Sequence, residues 1–166
     1  MRFVDFLKAT VMLSAGSATL LAALTLVGTS QDGDSTTTLI AIGWWLVAAL
    51  AGAWVGRRNQ ASPPIARLLA DAKFQTTLPE LQPGRTLLNR LWPLLFSTLS
   101  AGILGIFIPQ VSAIAAGFAI IWALAWRRQE SAVAAIEDRD GFRFYVDRTP
   151  PFSPIRLIRT PGLMAG

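Results

Sequence analysis

Residues 91–126 read LWPLLFSTLSAGILGIFIPQVSAIAAGFAIIWALAW, 36 residues without one Asp, Glu, Lys, Arg or His. A single straight helix of that length reaches about 54 Å, while a bilayer's hydrocarbon core is about 30 Å thick. The run therefore has to fold back. Pro109-Gln110 is the natural break, because proline cannot extend the hydrogen-bond ladder of the preceding turn. The spacing predicts a helical hairpin over about 87–108 and 110–128, with Pro93 near its start as a first-turn residue or mild kink. A re-entrant hairpin that never quite crosses leaves both ends on the same side and satisfies the same pattern.

Two further apolar runs lie upstream. Ala9–Gly28 is 20 residues long and Leu39–Gly56 is 18, each close to what a span requires. They place helices over about 6–28 and 39–56. The basic flank of the first resembles a signal-peptide n-region, and Gly28 and Ser30 are small enough to precede a cleavage point. A signal h-region is only about 7–15 residues, which favours a retained helix. The stretch TSQDGDSTTT (Thr29–Thr38) between them reads as a short polar loop. Trp44 and Trp45 lie near the outer end of the second run and Trp54 near its inner end, where amphipathic rings favour the interface.

Charge orients these spans. All 15 Lys and Arg residues fall on segment ends and connections that share a face with the N-terminus, and the two opposite connections hold none. Cytoplasmic loops retain Lys and Arg, so both termini are expected in the cytoplasm. The hydrophobic fraction of 52% against 15% charged residues suits a bilayer better than a small globular core. The pI near 11.0 raises nucleic acid as a partner. The bases flank apolar runs, however, with no groove-reading motif, which points to topology signals and anionic-lipid contacts.

The connection 57–86 contains Ser62-Pro63-Pro64, a helix start, followed by Ile65, Leu68, Leu69 and Ala72 at helical spacing. This predicts an amphipathic helix over about 64–77, ending before Pro79. It either lies on the inner leaflet or packs against the bundle ends. Beyond Arg128 the fourth helix is expected to continue through Ala132, Val133, Ala135 and Ile136. Asp140-Gly141 marks a turn, Phe142–Val146 alternates like a strand, and Ile155–Arg159 is a second extended candidate. The expected architecture is all-α: a four-helix transmembrane bundle over 1–128 and a cytoplasmic tail over 129–166 containing short extended segments.

Chemistry is scarce. Cys and His are absent, which removes thiol chemistry and His-based metal or proton transfer. The centres of the four apolar runs hold no ionisable residue, the expected mark of coupled transport. Asp138, Asp140 and Asp147 are interleaved with Arg139, Arg143 and Arg148, a pattern of a compensated surface rather than a metal loop. No phosphate-binding glycine loop or nucleophile elbow occurs. No catalytic residue, cofactor or metal is expected, and no enzymatic activity. Small residues at four-residue spacing (Ala48, Gly52, Gly56; Ala101, Gly105; Ala113, Gly117) allow close helix approach, inside the bundle or between copies. Ser14, Ser17, Thr19, Ser97, Thr98, Ser100 and Ser112 either bond backbone and neighbouring helices or line a pore.

The richest segment is GFRFYVDRTPPFSPIRLIRTPG (Gly141–Gly162). Arg143, Phe144, Tyr145, Arg148, Arg156 and Arg159 combine basic and aromatic groups on proline-fixed backbone. Such a segment can add to a partner's sheet edge or lie on anionic lipid; the plain alternative is a tail folded under its own bundle. The stretch resembles the C-terminus of small four-helix membrane proteins of high-GC actinobacteria. That resemblance implies a bacterial inner membrane and supplies no site residues. The excess of Arg over Lys fits a GC-rich genome independently. A non-enzymatic scaffold or accessory subunit, its tail engaging a protein partner or anionic lipid, is the expected function; a small transporter or channel is the alternative.

Overall fold

The computed structural model describes residues 1–58, 60–75, 83–147, 149–150 and 153–161. Its elements are α1 (Phe3–Gln31), α2 (Ser35–Val55), α3 (Pro63–Ala70), β1 (Lys73–Phe74), α4 (Pro83–Phe107), α5 (Pro109–Trp126), α6 (Gln129–Asp140), β2 (Phe142–Val146) and β3 (Leu157–Pro161). The chain is mostly helical, and four of its helices are long and apolar enough to cross a membrane. It divides into two compact units. An apolar unit comprises Thr10–Arg57 and Trp92–Arg127; a basic unit comprises Met1–Ala9, Arg58–Leu91 and Arg128–Gly166. The expected boundary at 128 is thus only one of several. The N-terminal residues and the 58–91 connection fold with the tail.

The apolar unit is built small side in, large side out. Its buried apolar side chains are Ala18, Leu21, Ala41, Ala48, Ala101, Ala113, Ala116, Ala119 and Ala123, beside the buried hydroxyl residues Ser14, Thr25 and Ser112. Leu39, Leu50 and Phe107 are 70%, 72% and 79% exposed. Water would penalise so much exposed apolar surface. Hydrocarbon does not, and there helices associate by close contact between small residues. α2 lies directly against α5. A Cβ added to Gly52 would stand 2.9 Å from Ile121 Cα, one added to Gly56 2.1 Å from the Leu124 carbonyl oxygen, and one added to Gly117 1.9 Å from Trp44 Nε1. The small-residue stripe is therefore spent inside this unit. Trp45 Nε1 donates to the Ala113 carbonyl at 2.9 Å and Trp44 Nε1 to that of Ile114 at 3.3 Å. These two indoles anchor α2 to α5, beyond the interfacial role expected of them.

Cross-contacts give the helix directions. Ser17 meets Thr98 and Leu24 meets Gly102, so α1 and α4 run the same way. Thr25 meets Ser112 and Gly28 meets Pro109, so α5 runs against α1 and alongside α2. The α1–α2 and α4–α5 turns consequently lie at one end of the unit. The first is tighter than expected, and the second is a single residue, as expected. In the first, helix extends through Thr29–Gln31 and resumes at Ser35, leaving only Asp32–Asp34 between. Gly33 adopts φ +67°, and the Asp34 carboxylate caps α2 by accepting from the Thr37 N–H at 3.0 Å. The polar run read as a loop thus supplies a cap and a first turn. In the second turn, Ile108 alone separates the helices. Helix α4 begins at Pro83, four residues before its expected start, so Pro93 lies well inside it rather than in its first turn.

Bonding to the Thr37 hydroxyl and N–H holds the Asp34 carboxyl below the ordinary carboxylate value. A depressed acid contributes stability above its unfolded value of 3.8, and loses it as pH falls through the folded value. Asp34→Asn keeps a capping oxygen and removes the titration. The stability difference between the wild type and Asp34→Asn in detergent should therefore shrink when pH is lowered from about 5 to about 3. A difference that stays constant over that range would refute the assignment.

In the basic unit a three-stranded sheet has the order β1-β3-β2. β2 and β3 are antiparallel, with Phe144 opposite Arg159 and Tyr145 opposite Ile158; β1 joins β3 in parallel. The second strand lies at 157–161, two residues later than expected, and β1 was not expected at all. The outer edge of β2 is taken by the chain's own start: the Val146 N–H donates to the Met1 carbonyl at 3.0 Å, and Arg2 bridges Tyr145. Phe3, Phe6, Leu7, Ile65, Leu69, Val133, Phe144, Val146, Leu157 and Ile158 are buried here. Helix α3 stops at Ala70 and does not reach 77, because the chain turns at Asp71 to enter β1. Ile65 is 1% exposed, so the apolar face of α3 is covered by protein rather than offered to a leaflet.

Candidate functional site

Glu137 organises the basic unit. It lies on α6 one turn after Val133, on the buried side of that helix, and its side chain is fully enclosed. Its Oε2 accepts from Arg2 Nη2 at 2.8 Å and Arg143 Nη1 at 3.2 Å; its Oε1 accepts from the Phe144 N–H at 2.8 Å. A buried carboxylate needs such compensation, since desolvating an unpaired charge is costly. The bond to Glu137 holds the Arg2 guanidinium above its ordinary value despite partial burial. Gln129, also buried, reaches the connection before α3: its Oε1 accepts from the Ser62 N–H at 2.8 Å. Neither Glu137 nor Gln129 stood out in the sequence as more than polar residues spaced between apolar ones. The one available signal was the four-residue spacing from Val133 to Glu137, which puts both on one helix face.

The six residues picked from the tail do not form a single exposed surface. Phe144 is buried in the core, a correction to its reading as a contact residue. Arg143 is engaged by Glu137 and Asp138. Tyr145 sits opposite Arg2 in the strand edge. Arg159 lies over the Phe142 ring at 5.6 Å, with Phe74 edge-on to that ring at 6.3 Å. Arg156 is exposed, while its carbonyl accepts from the Asp147 N–H at 2.9 Å. Arg148 lies outside the described residues. Within the sheet β3 is the central strand, flanked on both sides.

Charge is distributed unevenly between the units. Thirteen of the 15 bases and eight of the 10 acids belong to the basic unit, which therefore carries the whole net charge of +5. Arg57 and Arg127 are the bases of the apolar unit, each at the end of a segment; its acids are Asp32 and Asp34, in the α1–α2 turn. Lys8, Arg58, Arg67, Lys73, Arg85 and Arg156 are exposed. The apolar unit offers two open grooves beside α4, each of about 310 Å³. One is lined by Leu21, Leu94, Ser97, Thr98, Phe118 and Trp122; the other is lined almost wholly by aliphatic residues. Several hydroxyls in this unit are bonded. Thr25 pairs with Ser112 at 2.9 Å, Thr98 with Ser17 at 3.0 Å, and Ser14 with the Thr10 carbonyl at 2.8 Å. Among the described residues no three acidic side chains converge as a metal site would require. Compared with known proteins, the chain matches no family model, no curated protein and no solved structure.

Proposed function

We propose that this is a non-enzymatic integral membrane protein of the bacterial inner membrane. It acts as a scaffold or accessory subunit, with four spans, both termini cytoplasmic, and its basic unit engaging a protein partner or anionic lipid. One observation carries the reading: an apolar unit with large side chains outward is joined in one chain to a folded unit that holds the entire net charge. The shared end of the α1–α2 and α4–α5 turns, devoid of Lys and Arg, supports four full crossings rather than a re-entrant hairpin, since the hairpin tip at Pro109 meets α1 at Gly28. Burial of Phe3, Phe6 and Leu7 in the basic unit supports retention of α1. The alternative of a transporter or channel draws less support, because several of the hydroxyls that would line a path bond to one another and to backbone.

The chain has no Cys, so single introduced thiols report topology without background. Gln31→Cys should react with a membrane-impermeant maleimide in spheroplasts, and Arg139→Cys only after permeabilisation. Reaction of both from one side would overturn the four-span topology. For function, a stoichiometric partner is expected to co-purify in mild detergent and to be lost on Arg67→Glu with Lys73→Glu, two exposed positions that leave the core untouched. A lone purified protein that raises solute flux in liposomes would replace the scaffold reading with the transport one.

A further inference from the structure

We infer that β1 is the docking edge of the basic unit, and that it takes an extended segment of a partner protein, alternately acidic and apolar, as a further strand of the sheet. The inference rests on the scaffold reading above and names the partner's contact. The two sides of the sheet differ. The outer edge of β2 is taken by Met1 and Arg2. Among the described residues β1 is paired on one side only, to β3.

The Gln75 N–H donates to the Arg159 carbonyl at 3.1 Å, so the backbone groups of residues 73 and 75 turn toward β3. Alternation along the strand then points the Phe74 N–H and carbonyl away from β3, toward the open edge. Lys73, Phe74 and Gln75 are all exposed. Phe74 is 54% exposed, although it is a large apolar residue in a folded unit. Outward backbone groups on an accessible edge are a template for another strand, whose main-chain bonds supply affinity while alternate side chains supply specificity.

Register decides which side chains flank this edge. Phe74 pairs with Arg159, and Lys73 with Ile158. On the Phe74 face, the Phe142 ring lies edge-on to Phe74 at 6.3 Å, and the Arg159 guanidinium sits over Phe142 at 5.6 Å. This exposed aromatic step fits an apolar side chain on the added strand. Lys73 stands on the opposite face, where the fitting neighbour is an acid. A strand that meets both faces therefore alternates apolar and acidic residues. Asp71 in the preceding turn is bracketed by Arg67 on α3 and by Lys73, and the unit holds the chain's net charge of +5. Charge complementarity thus selects an acidic occupant. It also disfavours a second copy, which would set Lys73 and a unit of the same net charge against this one.

Residue-resolved amide exchange on the full chain in mild detergent tests the edge. The probes are two short synthetic peptides, one alternating Glu and Val and the other alternating Lys and Val. In the free chain the Phe74 N–H should exchange as an open amide, while the Gln75 N–H, bonded to Arg159, is protected. The Glu-Val peptide at about ten times its Kd should slow exchange at Phe74 about tenfold, and the Lys-Val peptide should not. Lys73→Glu should reverse that preference, and Phe74→Ala should weaken binding of the Glu-Val peptide about tenfold. Lys73 is exposed, so its charge reversal decides the matter if Phe74→Ala loosens Phe142. A Glu-Val peptide N-methylated throughout keeps its charge, loses its main-chain donors and should not protect Phe74. Protection of Phe74 in the free chain, equal effects of the two peptides, or undiminished binding of the N-methylated peptide would each overturn the proposal. Protection in phosphatidylglycerol nanodiscs without peptide would do so too, by assigning the edge to lipid. A partner that co-purifies and is lost on Arg67→Glu with Lys73→Glu, while the Glu-Val peptide leaves Phe74 unprotected, removes the strand contact and leaves the scaffold reading standing.

Discussion

Glu137→Ala should release the basic unit, at a cost of about 3 kcal/mol. The loss has two parts. Arg2 and Arg143 have side chains 39% and 40% exposed and can turn toward solvent once the carboxylate is gone, which limits the penalty. The Phe144 N–H is buried and cannot, so it is left without its acceptor. Removing one arginine should cost less, about 1 kcal/mol for Arg143→Gln, because Arg2 and the N–H still compensate the carboxylate. Glu137→Gln tests charge apart from shape: its amide oxygen can still accept from Phe144, and it should fall between the two. Amide hydrogen exchange in detergent is the suitable measurement, since it reads local opening where thermal unfolding of such proteins is often irreversible. Protection at Phe144, Val146 and Ile158 should collapse in Glu137→Ala while protection in α2 and α5 persists. Unchanged protection at Phe144 would show that Glu137 is not the organising group.

Gly56→Ala should be the most damaging single-methyl substitution in the apolar unit. Its Cβ would stand 2.1 Å from a backbone oxygen, that of Leu124, and neither chain can yield by changing a rotamer. Overpacking of this kind costs about 1–3 kcal/mol, and α2 would have to move away from α5. Gly117→Ala produces a shorter contact of 1.9 Å, but with an indole ring, a side chain that can swing aside at the cost of its bond to the Ile114 carbonyl. Gly16→Ala and Gly43→Ala meet nothing within 4 Å and serve as controls. A disulfide between α2 and α5, introduced as a Cys pair at contacting positions, should form readily in the controls and poorly in Gly56→Ala. Equal formation in all four would mean that α2 and α5 do not approach as closely as described.

Much of this architecture was legible because hydropathy and charge are local properties. The uncharged run 91–126, with Pro109 in its middle, announced a hairpin, and α4 and α5 meet across Ile108. Gly141, in the left-handed conformation at φ +69°, ends α6 at the turn expected there. Element ends were less legible. The Thr29–Thr38 stretch is polar, yet helix occupies most of it, since hydroxyls can bond the preceding turn of backbone: Thr29 Oγ1 donates to the Thr25 carbonyl at 3.0 Å and Ser30 Oγ to that of Val27 at 2.8 Å. Likewise, α3 ends early because Lys73 and Phe74 find β3 as a partner, and nothing within residues 64–77 signals that strand.

The candidate site was the least legible part. Arg143, Phe144 and Tyr145 stood out for composition, but composition does not distinguish a contact residue from a core residue. Strand alternation buries Phe144 and Val146 on the face opposite Arg143 and Tyr145, and an acid 135 positions away from Arg2 neutralises it. By itself the sequence determined the four apolar helices and the turn at Pro109, because each depends on a residue's own transfer free energy and its immediate neighbours. Only the tertiary structure decided that Met1 and Arg2 pair along the outer edge of β2, that Glu137 joins Arg2, Arg143 and the Phe144 N–H, and that Gly52 and Gly56 meet α5. Those contacts join segments far apart in the chain, and the free energy that selects them arises only once both surfaces exist.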